Sequence, residues 1–426
     1  MTIAAGERYL QGAGMREVFI VGVGMTAFGV HAERSSGELA REAVQKALAD
    51  AGAEASDVGA TFYANTVSGA IEGQYGMKGQ HALRPLGIEA GPLVNIENAC
   101  AGSSTALNLA VTQIAAGLAD VALAVGTEKL NTEDRVKRAG AFGQPLDVAA
   151  MQEFLDGHSH RAADIVAPPG VEIDPKMFSL FMEGYAVQAR LHMKKYGTTW
   201  EQLAAVAAKN HGHSVHNPLA QFQKPFSVEK ILAAKVIAWP LTLPMCAPIS
   251  DGAAAVLVCA KESLPRYSAA RPIRVRASVL VSGSRRDFDD VARSAIHRAA
   301  TLAYRQAGIT AADVDVAEVH DASAYAEINQ TEQLGLVPLG GGGPAAERGE
   351  TRLGGRIPVN PSGGLESRGH PVAATGAAQI HELVLQLRGD SGARQVADAH
   401  IGLASTSGGF IGVEDGATCV TVLSGT

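Results

Sequence analysis

One stretch of this chain occurs twice, and that repetition limits the possible folds more than any single motif does. Residues 38–58 read ELAREAVQKALADAGAEASDV and residues 294–314 read SAIHRAATLAYRQAGITAADV. Leu39, Ala43, Val44, Ala47 and Leu48 align with Ala295, Ala299, Ala300, Ala303 and Tyr304, an apolar stripe at helical spacing. Each copy stops at Ala-Gly (Gly52, Gly308), where a left-handed helix end is expected, then runs through Asp-Val toward a short strand. A β-rich run precedes each copy, EVFIVGVG and IRVRASVLVSG. Two further pairs match at growing offsets. ACAGSSTALNLAVTQIAAG aligns with GHPVAATGAAQIHELVLQL, which sets Cys100 on His370 and Thr105 on Thr375, and ADVALAVGTEKL aligns with ADAHIGLASTSGG.

After these matches the halves diverge. The second half runs from Ser407 to its last strand, GATCVTVL, in about ten residues, whereas the first takes over 110 to reach DGAAAVLVCA at Asp251. The intervening segment carries helical patterns, MFSLFMEGYAVQARLHMKKYG and WEQLAAVAAKNHG, and little strand. The expected architecture is therefore α/β: two pseudo-repeated α/β/α halves about a two-fold axis, plus an inserted, mainly helical loop domain. The boundaries expected are 1–126 with 246–265 for the first half, 127–245 for the insertion and 266–426 for the second half.

Composition narrows the class. The chain has 426 residues, 48 of them Gly, and 46% are apolar; without a three-residue period this excludes collagen, and the apolar share excludes disorder. A net charge of −7 leaves no general basic footprint for nucleic acid. No apolar run reaches the length of a membrane span, the start lacks the form of a signal peptide, and the end carries no anchor or peroxisomal address. Cys100, Cys246, Cys259 and Cys419 show no CxxC spacing and are too few for a disulfide scaffold. A cytoplasmic, reduced setting is expected.

Cys100, in ENACAGSST, falls at a strand-to-helix junction where unpaired N–H groups and the positive helix end favour a thiolate. A buried, inert cysteine is the competing reading, and it is the one expected for Cys259 and Cys419, which lie in apolar strands. Cys246, in LPMCAP, is intermediate. His370 occupies the pseudo-equivalent place, so a two-fold would bring nucleophile and base face to face. His320, in EVHDASAYAE, should end near the same crevice. Three other signals are read as non-functional. GVGMTA resembles a dinucleotide fingerprint, but the helix begins only after Ser36. HGHSVH (His211, His213, His216) reads as a solvated helix C-terminus with no metal partner. Gly340–Gly343 reads as a flexible loop with no helix after it.

Taken together, VGVGMTAFG, ENACAGSS, HMKKYGTTWEQLAAVAAKNH, PISDGAAAVL, HDAS and NPSGGLESRGHPVAATGA resemble the thiolase superfamily, and within it the sterol-carrier-protein-type branch. That branch includes benzoylsuccinyl-CoA thiolase and a steroid side-chain aldolase. The resemblance spans essentially the whole chain. It implies a thiolase-like fold, dimers or larger assemblies, coenzyme A and acyl-CoA as substrates, and no tightly bound metal or redox cofactor. It implies Cys100 as the acyl-accepting nucleophile, His370 as its activator, and His320 as the group that holds the second substrate's thioester oxygen. It further implies a small OB-fold, zinc-ribbon partner protein.

The chain departs from the family at the second acid. Where the branch has HDCF this chain has HDAS, with Ala322 for Cys, and the C-terminal CxG site reads Ser405-Thr406-Ser407-Gly408-Gly409. A serine hydroxyl is a much poorer acid than a thiol at neutral pH. His320, Cys246 or a water is expected to substitute, with Ser407 and Gly409 supporting acid–base or oxyanion roles. The expected substrate is an unusual β-ketoacyl-CoA, aromatic or carrying a second carboxylate. A retro-aldolase, a ketosynthase and an inactive lipid-binding or scaffold subunit are the alternatives. Arg135, Lys137, Arg138 and Ser250 are the expected CoA contacts, although an exposed charge run is more often a solvated face.

Overall fold

The computed structural model describes residues 15–144, 147–173 and 179–425. The first half contributes strands β1 (Val18–Met25), β2 (Ala60–Ala64), β3 (Leu93–Ile96) and β4 (Val121–Glu128). A two-stranded ribbon, β5 (Val236–Ala238) with β6 (Leu241–Thr242), stands apart from the main sheet. The remaining strands are β7 (Gly252–Ala260), β8 (Ile273–Ser282), β9 (Val316–Glu318), β10 (Ile401–Ile411) and β11 (Glu414–Ser424). The helices that position the site are α1 (Ser36–Ala51), α2 (Gly102–Ala115), α3 (Leu180–Tyr196) and α4 (Trp200–Ser214), then α5 (Ala295–Ala307), α6 (Ala324–Gln333) and α7 (Thr375–Arg388).

The repeat is visible in the sheet. Nine strands run in the order β3-β2-β4-β7-β1-β8-β11-β10-β9. Outward from the middle, β1-β7-β4-β2 and β8-β11-β10-β9 follow one plan: two antiparallel pairings, then a parallel one. The halves meet edge to edge where β1 pairs antiparallel with β8, Val18 with Val275 and Ile20 with Ile273.

The two repeated helices cover the outer faces. α1 starts at a Ser35–Glu38 capping box and ends at Gly52 with φ 64°; α5 is capped by Ser294 and ends at Gly308 with φ 66°. Their apolar stripes are buried as the spacing implies: Leu39, Ala43, Val44 and Ala47 on one, Ile296, Ala299, Ala300 and Ala303 on the other. A Cβ at Gly22 would lie 2.1 Å from the Ala47 carbonyl oxygen, so the GVG run is what lets α1 lie flat on β1. This packing role takes the place of a dinucleotide fingerprint.

α2 and α7 lie side by side in the core. Leu107, Ala110 and Ile114 pack with Ile380, Leu383 and Val384 and with strands of the sheet. Because both helices start toward one end of this pair, the segments just before them converge.

Two expectations need correction. The Gly340–Gly343 run is not followed by loop: a short helix, Gly342–Glu347, begins inside it, and the Gly342 N–H donates to the Glu332 carboxylate at 2.9 Å. His211 and His213 are not on a solvated helix end. α4 packs against the second half, so both are buried there, at 1% and 6% exposure.

Candidate active site

Cys100 sits in a single 3-10 turn, Ala99–Ala101, that leads into α2. Ala99 before it is left-handed, with φ 46°, a conformation that costs an L residue about 1–2 kcal/mol. His370 precedes α7 in the same way, followed by the turn Val372–Ala374. The Cys100 sulfur lies 3.2 Å from His370 Nε2. One ring nitrogen of His320 joins them, the three ligand atoms lying within 4.8 Å of one another. The two imidazoles meet edge to face at 5.4 Å between centroids.

The protonation pattern follows from the neighbours. The Thr375 hydroxyl donates to the Pro371 carbonyl at 3.2 Å, so at 2.6 Å from His370 Nδ1 it accepts that nitrogen's hydrogen. Nε2 is then the lone-pair nitrogen, and it faces the Cys100 thiol. His370 is also fixed through its backbone, its N–H donating to Ser250 Oγ at 2.9 Å. Ser250 in turn donates to Gln221 Oε1 at 2.5 Å.

Burial pushes the Cys100 thiol up to about 12, helped by the negative charges of Glu128 and Asp415. Burial lowers His370 well below its ordinary value, with the positive fields of His320 and Arg368 adding to it, and lowers His320 to about 4. The resting pair is therefore a neutral thiol beside a neutral imidazole. The 3.2 Å contact is short enough for the thiol proton to pass to the imidazole. A thiol and two imidazoles are also donors that zinc accepts, but Cys100 and His370 already have each other as partner.

His320 is 3% exposed and its Nδ1 has no hydrogen-bond partner. The next residue, Asp321, accepts from the Leu365 N–H at 2.8 Å, and so ties HDAS to the loop that ends in His370. α4 braces that loop from the other side. His211 shares a 3.0 Å hydrogen bond with Ser367 Oγ, and His213 Nδ1 donates to the Asn360 carbonyl at 3.0 Å while its Nε2 accepts from the Leu353 N–H.

The other expected site residues are distributed differently. Cys246 pairs across a β-bridge with Ser323, donates to the Thr242 carbonyl at 3.5 Å and packs with Ala324 and Tyr325, outside the Cys100–His320–His370 group. Ser407 lies in β10, where it accepts from Gln330 Nε2 at 3.2 Å, and Gly409, two residues on, is left-handed with φ 71°. Ser250 is wholly buried as the support of His370, which removes it from the expected CoA surface. Arg138 is tied to the Thr132 carbonyl at 3.0 Å, Lys137 is exposed, and the Arg135 side chain lies outside the described residues. Sequence reasoning missed Thr375 as the group that orients His370, although its alignment with Thr105 was the available signal. It also missed Glu128, which accepts from the N–H groups of Val67, Ser68 and Ala373 beneath Cys100.

Residues 18–237 match the family model for the thiolase N-terminal domain, and residues 280–423 match that for the thiolase C-terminal domain-like region. The chain belongs to the thiolase family. This thiolase is similar to the acetyl-CoA acetyltransferase of Methanothermobacter thermautotrophicus, 39% identical over 404 residues that cover 93% of this chain and 97% of the relative. It is 35% identical over 389 residues to the benzoylsuccinyl-CoA thiolase subunit BbsB of Thauera aromatica, covering 89% and 91%. Among solved structures, the Ltp2-ChsH2(DUF35) aldolase matches with a TM-score of 0.75 over 96% of this chain and 98% of that one, at 24% identity, a likeness of fold. This thiolase is an acyl-CoA acyltransferase of the thiolase type.

Proposed function

We propose that this thiolase forms or cleaves the carbon–carbon bond of a β-ketoacyl-CoA through an acyl thioester on Cys100. The observation that carries the reading is the 3.2 Å contact between Cys100 and a His370 whose tautomer Thr375 sets. In the cleavage direction His370 takes the thiol proton and the thiolate attacks the ketone carbon. The carbon–carbon bond then breaks toward the departing acyl-CoA, whose enolate oxygen His320 holds, and incoming CoA releases the acyl group. CoA and acyl-CoA act as substrates, with no tightly bound cofactor.

The substrate proposed is not acetoacetyl-CoA but a bulkier β-ketoacyl-CoA, aromatic or dicarboxylic. Ala322 and the Ser405–Ser407 run support this, because the acid that ordinary thiolysis uses is replaced. The likeness to a benzoylsuccinyl-CoA thiolase subunit points the same way. The name of that subunit, and of an aldolase assembled with a DUF35 protein, also support a small OB-fold, zinc-ribbon partner. A second copy of the chain is proposed at the β3 edge of the sheet, where Val94 is exposed, whereas the β9 edge is buried. Among the described residues no helix is long and apolar enough to cross a membrane.

Incubation with acyl-CoA followed by mass spectrometry should place one acyl group on Cys100 and none on Cys100→Ala. Cys100→Ala that still cleaves its substrate would favour the retro-aldolase reading, which the missing second cysteine supports. Thiolysis confined to acetoacetyl-CoA across a panel of β-ketoacyl-CoAs would overturn the substrate proposal.

A further inference from the structure

Beside His320 the chain encloses a small polar cavity of about 20 Å³, room for one water molecule. His320, Ser407, Asp415, Gln330, Tyr185 and Arg286 are among its walls. Asp415 and Ser407 share one wall of it, where the Ser407 hydroxyl favours the Asp415 carboxylate, and Gln330 Nε2 and the Thr418 hydroxyl hold that hydroxyl in place at 3.2 and 3.0 Å. Asp415 reaches this wall because β10 turns directly into β11, with Phe410 opposite Asp415 in the ladder.

We propose that Asp415 stands in for the missing second cysteine, exchanging a proton with the reacting carbon through Ser407. The inference rests on the Cys100 acyl-enzyme reading and assigns the acid that reading lacks. When the carbon–carbon bond breaks, the departing acyl-CoA enolate takes the Ser407 hydroxyl proton, forming a C–H bond, and Ser407 takes the proton of the Asp415 carboxyl. Asp415 is left as carboxylate. It recovers its proton from solvent before the next turnover, while the CoA thiol gives its own proton to solvent as the CoA thiolate attacks the acyl group on Cys100. The released Cys100 thiolate is reprotonated by His370.

The surroundings suit this work. Burial, then the charge of Glu414, hold the Asp415 carboxyl near 7, against the opposing pull of Ser407 and Arg286. Arg286 is largely spent on Glu414, with Nε donating to its carboxylate at 2.6 Å. The remaining titratable groups in reach are Cys100, Tyr185, Tyr325 and His320, the first three sensing the charge of Asp415 and the last sharing the cavity. An acid poised near neutrality both gives and recovers a proton readily. Neither rival does so: His320 stays neutral down to about 4, and the Cys246 thiol is bound to Thr242 and raised far above its ordinary value.

The test separates proton delivery from nucleophilic attack. Single-turnover cleavage of acetoacetyl-CoA and benzoylacetyl-CoA reports both, whereas acylation of Cys100 by acetyl-CoA and benzoyl-CoA reports attack alone. D415N and S407A should slow cleavage about a hundredfold and remove its inflection near pH 7. D415E should restore part of the rate together with the inflection, and acylation should remain at the parent level in all three. D415N that cleaves at the parent rate with the parent pH profile overturns the proposal. So does D415N that loses acylation and cleavage in equal measure, since that marks a structural role. A wild-type enzyme that cleaves but takes no acyl group on Cys100 removes the acyl-enzyme reading itself, a result the variants do not produce.

Discussion

The two helix starts at the centre of this thiolase share one scaffold and carry different chemistry. In each, a threonine five residues after the key side chain donates its hydroxyl to the carbonyl four residues back: Thr105 to Ala101 and Thr375 to Pro371. At α2 that hydroxyl accepts from Asn98, and Cys100 is left for the partner half to address. At α7 it accepts from the His370 ring and so determines which nitrogen is basic. A single inherited capping device is thus structural in one half and positional in the other. What separates the two is only whether the first residue has a ring that reaches back to the threonine.

The largest way to test this contrast is to remove the base. His370→Ala should lower kcat by about 10³-fold, with the fold intact by circular dichroism; a loss under tenfold would mean that His370 is not the base. Acid should expose the second asymmetry, since the His370 loop alone is braced by buried histidines. His211 is lowered to about 4 and His213 to about 3, both chiefly by burial. Their unfolded value is near 6.5, so the unfolded chain takes up protons first as pH falls, and the stability present above pH 6.5 is lost between there and about 4 for His211 and about 3 for His213. The cost at pH 5 is about 2 kcal/mol for each histidine. Thermal melts should show Tm falling from pH 7.5 to 5, and His213→Gln should flatten that slope; an unchanged slope would place the titration elsewhere. The smallest test compares the threonines. Thr375→Val should reduce kcat roughly ten- to a hundredfold with little change in KM. Thr105→Val should cost about 1 kcal/mol of stability and leave the rate nearly intact. Equal kinetic effects from the two would erase the distinction.

Much of this was legible in the chain. The duplicated helix stripe and the Cys100–His370 alignment together imply both the sheet plan and the meeting of thiol and imidazole. That logic holds because a repeat carries three-dimensional information that local pattern does not. Where reasoning went astray, the missing quantity was burial by a distant segment. HGHSVH has the composition of a helix end in water, and His216 is exposed there, yet the loop around Asn360 and Ser367 covers His213 and His211. Ser250 has the look of a ligand contact in a glycine-rich stretch, yet it holds up His370. Asp415 lies in an unremarkable hairpin, and only the β10–β11 turn brings it to Ser407. Such contacts depend on which loop lies over which helix, and residue periodicity does not encode that.

The closeness of the two helix starts also governs how such a chain can change over generations. A Cβ at Gly376 would lie 1.9 Å from Ser104 Oγ, so the halves touch at the very place where their functional side chains diverge. Neither half is free to drift alone there. A larger residue on one side demands a smaller one on the other, and a gene that exchanged one half with a distant relative would inherit a seam that no longer closes.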